Sequence, residues 1–175
     1  MDSSISKGPF PEEYRVSLNQ VASYQMHISD VYLSMACHYN EETGMPPFAL
    51  FFEEQAEVKR EQPKQLLRYL RNREGMICLP VFKRPYTDVW GGAVQTLTFA
   101  LKTENELTKM LEDLKTSASQ TGEIPLLPIV EMILFKQKRN TDYLKSQLSC
   151  QKRLEEPMEQ ESLSEEPAAA SSQKS

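Results

Sequence analysis

Residues 75–88 contain Pro80 and Pro85 and show no helical period, and they separate two pairs of long amphipathic segments. No other feature of the chain constrains its fold as strongly. Each pair is joined by a short turn, one near residues 40–44 and one near 117–122. The two helices of a pair therefore return antiparallel. Fully extended, the intervening stretch reaches about 45 Å, close to the length of a helix of about 30 residues. It can run the length of a bundle and set the second and third helices in the same direction. The expected fold is all-α: a four-helix bundle with one long crossover.

The first helix is expected over residues 11–39. Its seam is Tyr14, Leu18, Val21, Gln25, Ile28, Tyr32 and Met35, with the alternating steps of four and three that suit shallow packing. Pro11 fits a first turn, and Glu12 and Glu13 fit the positive end of the helix dipole. The second helix is expected from Pro46 or Pro47 to about residue 74, with Pro63 inside it. An internal proline costs about 3 kcal/mol against alanine, and a kink is expected there. The third helix is expected over 89–119, and the fourth over 126–154 with Pro128 in its first turn. Residues 1–10 read as a flexible N-terminus and 11–154 as the bundle. Residues 155–175, rich in Glu, Ser, Ala, Pro and Gln, read as a disordered tail.

Within the second helix, Phe48, Phe51, Phe52, Gln55, Val58, Gln62, Leu66, Tyr69 and Leu70 share one broad face, and Lys59 falls inside it. A buried ammonium needs a partner or loses its proton. The best-placed acid is Glu104, on the stripe Leu97, Leu101, Glu104, Leu111 of the third helix. The alternative is a lysine whose stem covers the core while its head reaches water.

Composition removes several function classes. The formal net charge is −5, with three of those charges in residues 151–175. Neither part offers the basic face of a nucleic-acid binder. No run reaches membrane-spanning length and no signal pattern opens the chain, so no membrane partner and a cytoplasmic location are expected. Cys37, Cys78 and Cys150 read as reduced thiols. His27 and His38 are the only histidines, too few for a histidine-rich metal site.

Several blocks carry a family resemblance: residues 31–35 (VYLSM), 51–61 (FFEEQAEVKRE), 73–75 (REG), 83–85 (KRP) before Trp90, and Ala100-Leu101 through Leu114. In this order and spacing the chain resembles a mammalian ferritin subunit from about residue 13 to 148. The resemblance implies a ferritin-like bundle. In catalytic heavy chains of that family a ferroxidase site is built from carboxylates, a histidine and a glutamine. Matched residue by residue, Gln25, Val58, Lys59, Gln62 and Lys138 stand at five of its positions. Glu104 alone remains as an iron-type ligand, with Tyr32 beside it. Two lysines and a valine cannot chelate iron beside one glutamate. The pattern Glu54, Glu57, Lys59, Arg60, Glu61 resembles instead a non-catalytic light chain, where the lysine pairs with the acid matching Glu104.

The resemblance also implies that Glu54, Glu57 and Glu61 face an iron mineral. Their spacing puts them on one stripe, and hard carboxylate oxygens suit ferric iron. The alternative is an ordinary solvated acidic face. Glu131 matches an acid of the family's three-fold channel, where Pro128 replaces a second. The tail has no amphipathic pattern for the family's short fifth helix, so that helix is expected to be absent. Tyr32 is expected to be a core residue with a bonded hydroxyl, or else an electron carrier; His27 and His38 are expected to be ordinary histidines.

Three functions compete. The first is a ferritin-like subunit that stores ferric iron, bound weakly or as mineral, in a homo-oligomer or with other ferritin subunits, without oxidising ferrous iron itself. The second is a di-iron oxidase, against which the replaced ligands argue. The third is a helical interaction protein that has lost iron handling and shell assembly.

Overall fold

The computed structural model describes residues 10–39, 44–83 and 90–164, with side chains through Glu156. Among the described residues the elements are α1 (Glu12–His38), α2 (Pro47–Asn72), α3 (Ala93–Thr121), a short 3₁₀ turn (Ile124–Leu126) and α4 (Leu127–Ser164). Residues 40–43 of the first expected turn, residues 84–89 at the end of the crossover, and residues 1–9 and 165–175 lie outside the described residues.

The period reading places α1 and α2 within a few residues of their ends. The third helix starts later than expected, because Gly91 has a left-handed φ of +71° and Gly92 is the extended residue before the first turn. At its far end Gly122, at φ +79°, closes α3 in the left-handed conformation that favours glycine. The fourth helix continues past Leu154 and Glu156 to Ser164. Helix propagation needs no new nucleus, so α4 extends beyond its last buried turn. Residues 155–164 are thus helical, against the expectation of a disordered tail. Pro63 does not divide α2, which continues through it as one helix, with the ring buried.

The α1–α2 and α3–α4 hairpins are the broad contacts; α1 also packs on α3, and α2 lies only thinly on α4. The crossover explains this arrangement. Its residues 75–83 lie along α1. Asn19 Nδ2 donates to the Met76 carbonyl at 3.0 Å, and the Cys78 amide donates to Asn19 Oδ1 at 2.8 Å. One turn on, the Ser23 hydroxyl donates to the Pro80 carbonyl, and Phe82 packs edge-on against Tyr24. Trp90 Nε1 then reaches Ser34 Oγ near the other end of α1, at 3.1 Å. The chain has climbed the bundle, and α2 and α3 run in the same direction on its diagonal.

The core is filled by the expected seams. Leu18, Ile28, Tyr32 and Met35 of α1 are fully buried with Phe48, Phe52, Leu66 and Leu70 of α2, and with Leu97, Leu107 and Leu111 of α3. Val130, Ile133 and Leu144 complete it from α4. Burying each such side chain contributes about 1.5–3 kcal/mol, which orders all four helices around one centre.

Candidate functional site

At that centre the core is polar. Lys59 and Glu104 are wholly buried, and Lys59 Nζ lies 3.0 Å from Glu104 Oε2. The lysine stem does not lead its head to water. The pair spans the diagonal from α2 to α3. The other two helices complete the group. Tyr32 of α1 donates its hydroxyl to Glu104 Oε1 at 2.8 Å. Gln137 of α4 donates from Nε2 to Glu104 Oε2 at 2.6 Å and accepts from Lys59 Nζ at Oε1. Each helix thus gives one side chain, and both carboxylate oxygens are engaged.

Burial and charge act in opposite directions here. Burial pushes the Lys59 ammonium below the ordinary lysine value, and Glu104 works against that push. Burial raises the Tyr32 phenol well above its ordinary value, and the negative Glu104 raises it further. Tyr32 is therefore a hydrogen-bond donor at any physiological pH.

Gln25 and Gln62 form a second buried polar pair, between α1 and α2. Gln25 Nε2 donates to Gln62 Oε1 at 3.3 Å. Gln25 Oε1 and Gln62 Nε2 have no hydrogen-bond partner among the described residues. Val58 is half-buried. Lys138, expected with these residues, points outward: its side chain is 78% exposed and lies 3.7 Å from Asp142 Oδ2. The residue of α4 that enters the site is Gln137. The signal for it is in the sequence, because Val130, Ile133, Gln137, Thr141 and Leu144 keep the three-and-four step of a buried seam.

Glu54, Glu57 and Glu61 are exposed on α2. Glu61 is bound by Lys64 one turn away at 2.7 Å, which offsets part of the stripe's charge. Glu131 is exposed and lies 3.6 Å from Lys115 of α3. His27 is half-buried and stacks on Tyr24; His38 lies edge-on to Tyr39. Among the described residues, no three of His, Cys, Asp and Glu gather where they could share a metal ion. No described helix is long and apolar enough to cross a membrane.

The bundle, its crossover and a polar centre shared by all four helices are the features of one protein class, and comparison identifies it. The ferritin-like domain of the Ferritin family matches residues 16–154. The chain belongs to the ferritin family. It is similar to the ferritin middle subunit of Salmo salar, 30% identical over 155 residues, covering 88% of this chain and 82% of that one. It is also similar to the ferritin lower subunit of Aquarana catesbeiana, 29% identical over 132 residues, 75% of this chain and 76% of the relative. The soma ferritin of Lymnaea stagnalis is 26% identical over 132 residues, with the same coverage of 75% and 76%.

Proposed function

We propose that this chain is an iron-storage subunit that sequesters ferric iron inside the cell and does not oxidise ferrous iron itself. The observation that carries the reading is the Lys59–Glu104 pair at 3.0 Å in the middle of the bundle. A di-iron centre needs several hard anionic donors around two cations. The donors here are one carboxylate, two amides of a separate pair, a third amide and a protonated phenol, with an ammonium among them. Glu104 has its two oxygens committed to Tyr32, Lys59 and Gln137. A metal ion would have to displace the ammonium and leave it buried without a counter-charge, which costs several kcal/mol. The donor set does not fit a resident di-iron centre.

Iron is then the cargo. Glu54 and Glu57 are exposed carboxylates on one stripe, suited to ferric ions at a growing mineral surface. Assembly with further copies or other ferritin subunits is supported by the crossover, which turns Met76 and Val81 outward at 66% and 95% exposure. Apolar side chains in that position favour burial against a second subunit. The test is ferrous oxidation by the purified chain against the background in air, followed by the ferric iron retained after gel filtration. The expected result is background oxidation with retained ferric iron. A fast, saturable oxidation with about two irons per chain, the count of a di-iron bundle site, would overturn the reading.

A further inference from the structure

We propose that the thin seam between α2 and α4 holds a phosphate group, on Lys136 and Arg139. The proposal needs no iron and does not rest on the storage reading.

The seam opens into a cavity of about 340 Å³ lined by Phe51 and Gln55 of α2 and by Lys136, Arg139, Asn140 and Tyr143 of α4. Val58 and Lys136 also line an adjoining cavity of about 470 Å³, which Arg68 borders from α2. Sites of this volume, with a few convergent polar groups, are of the size that takes small ligands.

The polar groups of the smaller cavity are mismatched among themselves. Lys136 and Arg139 stand three residues apart, so they are neighbours on the helix surface and repel. The acid nearest them in sequence, Asp142, is engaged with Lys138 at 3.7 Å. Lys64, on the rim of the larger cavity, is held by Glu61. Among the described residues no carboxylate lies within ion-pair distance of Lys136, Arg139 or Arg68, and no acid lines the smaller cavity. Glu57 and Glu61 border the larger one.

Neutral donors complete the lining, with Glu54 outside it but near enough to act on Tyr143. Asn140 Nδ2 donates to Gln55 Oε1 at 2.9 Å, which fixes both amides in place. The Tyr143 ring stacks on Phe51 with centroids 4.5 Å apart. Its hydroxyl has no hydrogen-bond partner among the described residues. Burial, and then Glu54, raise its pKa, so it is a donor. A guanidinium fork, an ammonium and a phenol O–H offer donors and positive charge at one place. Phosphate, with three accepting oxygens and up to two negative charges, matches that set better than a single carboxylate. The aromatic pair provides a flat wall that would serve a phosphate ester with a planar group, and free phosphate would not use it.

The experiment titrates the full chain with orthophosphate and, separately, with adenosine monophosphate, in about 0.15 M chloride so that unspecific attraction is screened. Saturable binding of either ligand is expected. The double change Lys136→Gln, Arg139→Gln should weaken it about tenfold or more, the effect of losing one charge-assisted hydrogen bond. Lys136→Arg should keep it within about twofold, since lysine binds phosphate as a point charge and the charge remains. Tighter binding of the nucleotide, lost in Tyr143→Ala, would assign the site to phosphate esters. Equal or tighter binding of orthophosphate would assign it to the free ion. If the double variant fails to fold, the two single changes carry the same test. Absence of saturation by either ligand at about 10 mM, well above a millimolar dissociation constant, would overturn the proposal. So would binding that the Lys136 and Arg139 changes leave intact.

Discussion

Glu104 and Glu123 are both buried, one at the middle of the bundle and one at its end, and they are bonded in similar ways. Glu104 takes the Tyr32 hydroxyl and the Lys59 ammonium. Glu123 takes the Tyr69 hydroxyl and the Arg73 guanidinium, the latter at 2.7 Å. The difference is water. The Lys59 side chain has no exposed surface, whereas the Arg73 side chain is 22% exposed. At the end of the bundle Glu123 holds the Arg73 charge above its ordinary value, with burial opposing. At the centre burial dominates and pushes Lys59 down. The same carboxylate–phenol–cation group is thus a tether where solvent reaches it and a plug where solvent does not.

The sharpest way to break the comparison is to remove one charge from each site. Lys59→Met leaves Glu104 buried without a cation and should destabilise the chain by about 3–5 kcal/mol. Adding Glu104→Leu should recover most of that loss, because both charges are then gone. Denaturant midpoints for the two single variants and the double give the coupling; simple additivity would mean that the pair does not interact. Arg73→Gln should cost less, about 1.5–3 kcal/mol, since it removes one hydrogen bond to a charged group and water can reach the place it leaves. An equal loss at both sites would show that burial makes no difference.

Alkaline pH sharpens the same contrast. Tyr24, Tyr32 and Tyr69 all have phenol pKa values raised above 10.0, by burial first and then by Glu106, Glu104 and Glu123 respectively. A phenol raised in the folded state keeps its proton after the unfolded chain has lost it. Its stabilisation is full below about pH 10 and falls as pH rises above that. Fully buried Tyr32 should contribute a slope of up to about 1.4 kcal/mol per pH unit, and the two more exposed phenols less. Lys59 has the opposite sign, since its lowered pKa makes stability rise with pH up to the unfolded value of 10.5. The phenols outnumber it, so denaturation midpoints should fall between about pH 10 and 12, and Tyr32→Phe should flatten the fall. An unchanged slope in that variant would contradict the assignment.

The smallest effect belongs to the glutamines. Gln25→Leu with Gln62→Leu removes a long hydrogen bond of 3.3 Å together with two buried atoms that lack partners among the described residues. Replacing both members of such a pair with apolar groups is close to neutral, within about 1 kcal/mol. A thermal melt that fell sharply would mean the pair holds α1 to α2 after all.

How much of this could be read from the sequence follows from what fixes each part. Helix identity and topology were legible because seams such as Tyr14 to Met35 repeat over many turns and the crossover has no competing period. The Lys59–Glu104 contact was legible because both residues interrupt apolar stripes. Gln137 was missed because residue-by-residue matching to a family position selected its neighbour Lys138, while the burial phase of α4 selects Gln137. The end of α4 was misplaced because residues 155–164 carry no apolar period to mark where the helix stops. The Lys136–Arg139 cavity had no sequence signal. It depends on how far α2 stands from α4, and that distance is set by the whole bundle.

Pro63 lies four residues after Lys59 and has no N–H, so the Lys59 carbonyl is the one left without its helical partner. The residue that anchors the centre by its side chain is therefore also where the main-chain ladder of α2 is interrupted. Fraying that begins at Asn72 has no unbroken run of hydrogen bonds along which to travel toward Phe48. The ion pair sits at the one turn of α2 where a main-chain bond is missing, and there the Lys59 side chain ties the helix across the bundle to α3.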